Sequence, residues 1–320
     1  MLVCMPGISS ETFHPHALHH VDRCWPETNC SLDLWIAVLH ALGLSPEPAL
    51  GIAARQDFEG DQFGFTKIPA EDIEFLYGLR VQELAPYETL EVHIEHQMAR
   101  ARLCLMEADA YYLPDTGQAA YRKRHAATMI GINRLDRAAA IAEYFHNGGY
   151  FRLAAEDYRG LFRYESAMSA GQPPYVEFTT LHSEPVEPAE LKRRGAMLLS
   201  KHWARRPTTN PIREFQAVFV EQAKALVDRE PEALHAYSFH TSRMLGSNFE
   251  LLGSCLDWQA GTNHALTGHC TTIAEVSKTL PLRLARAVAH RRFERLNVFL
   301  DPAADAWDAL FGEVNIRAVA

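Results

Sequence analysis

Apolar positions first settle into a helical rhythm just after residue 30. Leu34, Trp35, Val38, Leu39 and Leu42 recur at i, i+3, i+4 spacing, which predicts a helix with one buried face. Thr28 and Asn29 are residue types that cap helix N-termini, Asp33 suits the positive end of the dipole, and Gly43 is placed to end the helix. Pro46 and Pro48 then break the chain, and the small apolar run 49–54 predicts a strand. Pro69-Ala70-Glu71-Asp72 opens a helix reaching about residue 77, with a short strand over 81–84 and a helix over 93–102. The stretch 103–114 reads as a strand that starts buried and ends at a rim near Asp109 and Asp115. Residues 125–132 form a strand-like run headed by His125, 133–139 hold the turn, 140–147 return, 150–153 extend that strand, and 155–158 start a short helix.

The pattern changes at about residue 186, with Pro185 and Pro188 marking the boundary. Helical periodicity then dominates, over 189–205, 211–228, 231–245, 249–256, 271–295 and 303–311, with Pro207, Pro211, Pro231 and Pro281 as first-turn residues or breaks. The expected organisation is two domains, 1–180 and a mostly helical 181–320.

Composition narrows the function classes. The 320 residues are 48% hydrophobic and 22% charged, with net charge −9, which argues against a broad nucleic-acid footprint. No apolar run approaches the roughly 20 residues that span a bilayer, and the N-terminus lacks the basic region and apolar core of a secretory signal. Six cysteines without framework spacing fit a reducing cytosol, so a cytoplasmic protein is expected. His14, His16, His19, His20, Cys24 and Cys30 crowd the first thirty residues, but no pair has structural-zinc spacing, and no metal is expected.

Cys30 lies in the first turn of the predicted helix, where unpaired backbone N–H groups and the dipole favour a thiolate and can receive an oxyanion. A nucleophilic cysteine needs a base and a group that orients the base. A hairpin centred on Asp136 places His125 directly opposite Asn147, whose amide would fix the imidazole tautomer. A slip of one residue exchanges Asn147 and His146.

The segments CWPETNCSLDLWIAVLHALG, DFEGDQFGFTKIPAEDIEFLYG, EADAYYLPDT, YRKRHAATMIGI, EYFHNGGYF and RMLGSNFEL resemble a bacterial family of about this length and of unknown function. More remotely, the N-terminal half is similar to the papain-like domain of the butirosin-biosynthesis H protein. The resemblance implies an α/β (α+β) chain: a papain-like, cysteine-peptidase-type domain followed by a mostly helical one. It implies a transferase in which Cys30 is the nucleophile, His125 the base and Asn147 the third residue. That acyltransferase moves an aminoacyl or other acyl group from a carrier-protein thioester to an amine. Its acyl donor is 4'-phosphopantetheine on the carrier protein, no cofactor is bound directly, and an amino acid:carrier-protein ligase is a further partner. Cys24 stands where papain-like proteases usually carry an oxyanion-hole glutamine, so Asn29 is the candidate second donor.

The interleaved acids and aromatics of Asp57, Glu59 and Asp61 are candidates to hold a substrate ammonium group or to form an aromatic-anchored turn. Arg243, Asn248 and Glu250 are candidates to line a pocket or to tie helices together. The rival functions are a cysteine peptidase or amidase, and a catalytically silent module that binds a carrier protein.

Overall fold

The computed structural model describes residues 1–117, 119–162, 174–181, 186–261 and 264–312. Pro185, expected at the boundary, lies outside the described residues. The chain forms two compact units, each assembled from more than one stretch. The first comprises Met1–Ala17, Cys30–Pro46 and Pro69–Val186, and the second comprises Leu18–Asn29, Glu47–Ile68 and Glu187–Ala320. The protein is mixed α+β with a helical C-terminal half, and no helix among the described residues is long and apolar enough to cross a membrane.

The first unit is built on an antiparallel sheet. Its strands are β1 (Leu2–Val3), β2 (Val81–Glu83), β3 (Arg102–Asp109), β4 (Ala127–Asp136), β5 (Ile141–His146), β6 (Gly149–Ala154) and β7 (Val176–Thr180). They run in the order β2-β7-β3-β4-β5-β6, with β1 also on β4. The helices of this unit are α1 (Cys30–Ala41), α2 (Ala70–Tyr77), α3 (Leu90–Met98) and α4 (Ala155–Phe162).

The two sheet faces have different cover. On one, Cys104, Met106 and Ala108 of β3, Ile130 and Ile132 of β4, and Tyr144 of β5 pack with Ile94 and Met98 of α3 and Tyr158 and Leu161 of α4. The other face meets α1: a Cβ at Gly131 would lie 3.3 Å from both Leu105 and Leu34. Residues Leu32 to Leu39 are all buried, so α1 is enclosed on every side and not on one face as its spacing predicts; a helix apolar all round is a core helix. Gly43 ends it at φ 72°, and the Leu44 N–H donates to the Leu39 carbonyl in a left-handed cap.

In the second unit, residues Glu47–Arg55 form a 3₁₀ helix where a strand is expected. The reason is close packing: a Cβ at Gly51 would lie 3.3 Å from the Leu199 backbone, and Pro48 to Ala54 are buried without alternation. The remaining helices are α5 (Pro188–Trp203), α6 (Pro211–Lys224), α7 (Pro231–Ser238), α8 (Met244–Ala260), α9 (Thr267–His290) and α10 (Asp301–Gly312). A π-helical turn, Phe239–Arg243, joins α7 to α8, so the two separate helices expected over 231–256 form one continuous rod. Pro211 and Pro231 open helices as expected, whereas Pro281 sits inside α9. The buried stripe of Ser277, Leu280, Leu284 and Ala287 carries α9 through the missing N–H.

Candidate active site

Asp109 closes β3, and successive side chains of a strand alternate between faces. Leu103, Leu105, Glu107 and Asp109 therefore project from the face that meets α1. Its carboxylate, only 5% exposed, accepts from His125 Nδ1 at 2.6 Å, from the Tyr111 N–H at 3.1 Å and from the Ala126 N–H at 3.3 Å. A carboxylate held by two backbone donors is a fixed anchor for an imidazole. The Tyr111 ring stacks on His125 at 4.4 Å and 12°, and Arg122 lies over Tyr111. The Arg122 guanidinium, hydrogen-bonded to Tyr121 and paired with Asp157, is held above its ordinary pKa and stays charged. His125 itself is 40% exposed, so the ring is clamped at Nδ1 and open to solvent beyond it.

Cys30 is the first residue of α1 and half-buried, and α1 packs on β4 and β5. The first turn of a helix carries the positive end of its dipole. The nucleophile candidate thus begins the helix that covers one sheet face, and the Asp109–His125 pair stands at the end of that same face.

Asn147 does not hold His125. Its hydrogen-bonding position is taken by Asp109, because the hairpin register differs from the expected one. β4 and β5 pair Asp136 with Ile141 and Ile130 with His146, with an irregularity between Ile132 and Arg134. Asn133 occupies that irregularity, and its buried side chain accepts from the Met5 N–H at 2.7 Å and donates to Tyr150 Oη at 2.9 Å. The difference arises at the turn: pairing begins with Asp136 opposite Ile141, so the chain reverses over residues 137–140 and not about Asp136, and β4 begins only at Ala127, two residues after His125. Asn147 falls in the turn between β5 and β6 at φ 47°, a left-handed conformation that Asn and Gly favour.

His146, the alternative to Asn147, belongs to a second histidine–aspartate pair on the opposite face. Its Nδ1 lies 2.5 Å from Asp115 and its Nε2 2.8 Å from Thr128 Oγ1, while the Tyr144 hydroxyl donates to the other Asp115 oxygen. The His146 side chain is 3% exposed and both ring nitrogens are engaged. Of the two pairs, His125 has the form of a base that a substrate can reach.

The other candidates lie in the second unit. The Asn29 side chain is buried there, with Nδ2 donating to the Thr66 carbonyl at 3.0 Å. Asp57 Oδ1 accepts from the Phe58 N–H, while Glu59 and Asp61 are exposed on a turn whose Phe58 and Phe63 pack on Phe215 of α6. The anchors account for the aromatic spacing of this turn. Arg243 leaves the π turn to donate to the Thr28 carbonyl at 2.8 Å and to Glu27 at 3.1 Å. Glu250 accepts the N–H groups of Cys24 and Trp25 at 3.0 and 2.7 Å, and Asn248 donates to Gln56 and Thr66. The side chains of Arg243 and Glu250 therefore hold residues 24–28, the segment that leads directly into Cys30. A Cβ at Gly246 would strike the Trp25 indole at 2.4 Å, so only glycine allows this approach.

Burial pushes the remaining thiols up: Cys4 and Cys255 to about 12, and Cys24, Cys104 and Cys270 also above the ordinary value. Among the described residues, no group of three or more His, Cys, Asp or Glu side chains is arranged to hold a metal.

Comparison with protein families matches residues 14–181 to the DUF1839 N-terminal domain and residues 188–315 to the DUF1839 C-terminal domain. No curated protein matches the chain in sequence.

Proposed function

The chain belongs to the DUF1839 family, and from that footing we propose that it is a papain-like cysteine acyltransferase, moving an aminoacyl or other acyl group from a carrier-protein thioester to an amine. The observation that carries the reading is the Asp109–His125 pair. A buried carboxylate fixes an accessible imidazole on the sheet face covered by the helix that starts with Cys30.

The chemistry balances without an added reagent. The Cys30 thiolate attacks the thioester carbonyl, and the charge that develops on oxygen faces the positive end of the α1 dipole. Collapse expels the phosphopantetheine thiolate, which takes the proton held on His125 Nε2, and leaves an acyl-Cys30 thioester. An amine then attacks this thioester, His125 accepts its proton, and the Cys30 thiolate departs. Asp109 holds the imidazole in one orientation throughout and stabilises its protonated form.

A thioester donor suits this site better than a peptide. An amide leaving group must be protonated and depends on a full oxyanion hole. Here residue 24 is Cys and the Asn29 amide is committed to Thr66. We therefore favour acyl transfer over the peptidase or amidase reading. The test is incubation with an aminoacyl-carrier protein and with the corresponding aminoacyl-pantetheine thioester, followed by intact-mass analysis. One aminoacyl mass should appear on the wild type and none on Cys30→Ala. A wild type that stays unmodified by both donors while binding the carrier supports the silent escort module instead.

A further inference from the structure

The chain carries net charge −9, yet the end of α9 and the turn after it reverse that sign. Between Leu282 and Phe299 lie Arg283, Arg286, Arg291, Arg292 and Arg295, all exposed, against the single acid Glu294. Arg291 is paired with Asp228; Arg283 and Arg286 have no carboxylate partner among the described residues. Within this basic stretch stand three exposed apolar side chains: Leu282 at 60%, Val298 at 42% and Phe299 at 41%. Arg286 follows Arg283 by three residues and Leu282 by four, so it neighbours both on one side of α9. The Arg283 guanidinium lies 3.8 Å from the Phe299 ring centroid, which joins the helix to the 3₁₀ turn Asn297–Leu300 in one surface.

Scattered exposed apolar residues need no explanation, but a cluster ringed by one sign of charge does. Arginine and aromatic residues are enriched at protein interfaces and lysine is depleted. All the cations of this stretch are arginines, whose planar guanidinium matches carboxylates in two-point pairs. A lipid surface would be served equally by lysine and would meet a chain of net negative charge. An acidic protein would be repelled by most of this molecule and drawn to this island, which fixes where it lands.

We propose that Leu282, Arg283, Arg286, Val298 and Phe299 form the docking surface for an acidic protein domain, namely the carrier protein of the proposed acyl transfer. The identity of this partner rests on that functional reading; the surface itself rests on charge and exposure. Carboxylates of the partner pair with Arg283 and Arg286, and an apolar side chain of the partner covers Leu282 and Phe299.

The test is fluorescence anisotropy with a labelled acidic apo-carrier protein and the full chain. Arg286→Glu alone and with Arg283→Glu should weaken binding about tenfold or more, and wild-type binding should fall as salt rises. Arg286→Glu disturbs no stacked contact, and circular dichroism checks that its fold is kept. Reversal of an exposed arginine elsewhere, Arg100→Glu, should leave binding unchanged. Equal loss in Arg100→Glu, or retained affinity in the double variant, overturns the proposal. So does arginine-dependent binding to phosphatidylglycerol vesicles without carrier binding, or a dimer that the double variant dissolves. Acylation of wild-type Cys30 by a pantetheine thioester is scored separately. Its failure removes the transfer reading, whereas its success with unaltered carrier binding in the variants removes only the docking surface.

Discussion

The imidazole of His125 is held through one nitrogen by a carboxylate that also accepts the N–H groups of Tyr111 and Ala126. Removing the carboxylate charge while keeping the shape, as in Asp109→Asn, frees the ring to take the wrong tautomer. Loading of Cys30 should slow by about 10²–10⁴-fold, and His125→Ala should fall in the same range. Stopped-flow quench with mass detection measures both; normal loading in Asp109→Asn would exclude Asp109 as the orienting group. Reactivity among the six thiols should follow burial. With Cys4 and Cys255 pushed up to about 12 by burial, neither is expected to carry appreciable thiolate at pH 8. Sub-stoichiometric iodoacetamide at that pH should mark Cys30 first in a peptide map, and preferential labelling of Cys4 or Cys255 would contradict the assignment.

At the level of elements, the segment before Cys30 depends on α8. Glu250→Ala strands the Cys24 and Trp25 N–H groups, at a cost of about 2–4 kcal/mol for the two. Gly246→Ala forces a methyl into the Trp25 indole and should cost about 1–3 kcal/mol. Urea titration of both variants checks the losses; a change under 0.5 kcal/mol in Glu250→Ala, below the usual size of a buried polar loss, would mean that the clamp carries nothing. The elements also divide by how far pattern alone reveals them. Residues 110–114, expected to continue the β3 strand, enter 3₁₀ turns, whereas the helix from Cys30, the buried start of β3 and the existence of the β4–β5 hairpin announce themselves through apolar spacing. The 3₁₀ helix Glu47–Arg55 does not, because its small residues answer to Leu199, a contact far away in sequence. Nor does the partner of His125. The β4–β5 turn lies over residues 137–140, so a count centred on Asp136 points to Asn147, whereas the carboxylate that holds His125 is Asp109. Arg243 and Glu250 are conspicuous in a long motif, but their partners, residues 24–28, become visible only in the folded chain.

Across the whole molecule, burial shapes the alkaline limit of stability. Cys4, Cys104, Cys255 and Cys270, with Tyr144, Tyr150 and Tyr237, are all held above their ordinary pKa by burial. In the unfolded chain these groups ionise at their usual values, about 8.5 for thiols and about 10 for phenols. Above pH 8.5 the unfolded state therefore binds fewer protons than the folded one, and stability falls as pH rises. Below that pH both states are protonated at these groups and their contribution is constant. Denaturation midpoints taken from pH 7 to 11 should be flat with respect to these groups to about 8.5 and then decline, with phenolate absorbance appearing at unfolding; a midpoint that climbs through this range would reverse the sign. The central claim, that this α+β chain passes an acyl group through Cys30, is met most directly by one intact-mass measurement. Mixed with an aminoacyl-pantetheine thioester at neutral pH, the wild type should gain a single aminoacyl mass that maps to Cys30 and is released by an added amine. No adduct on the wild type, or an equal adduct on Cys30→Ala, would contradict it.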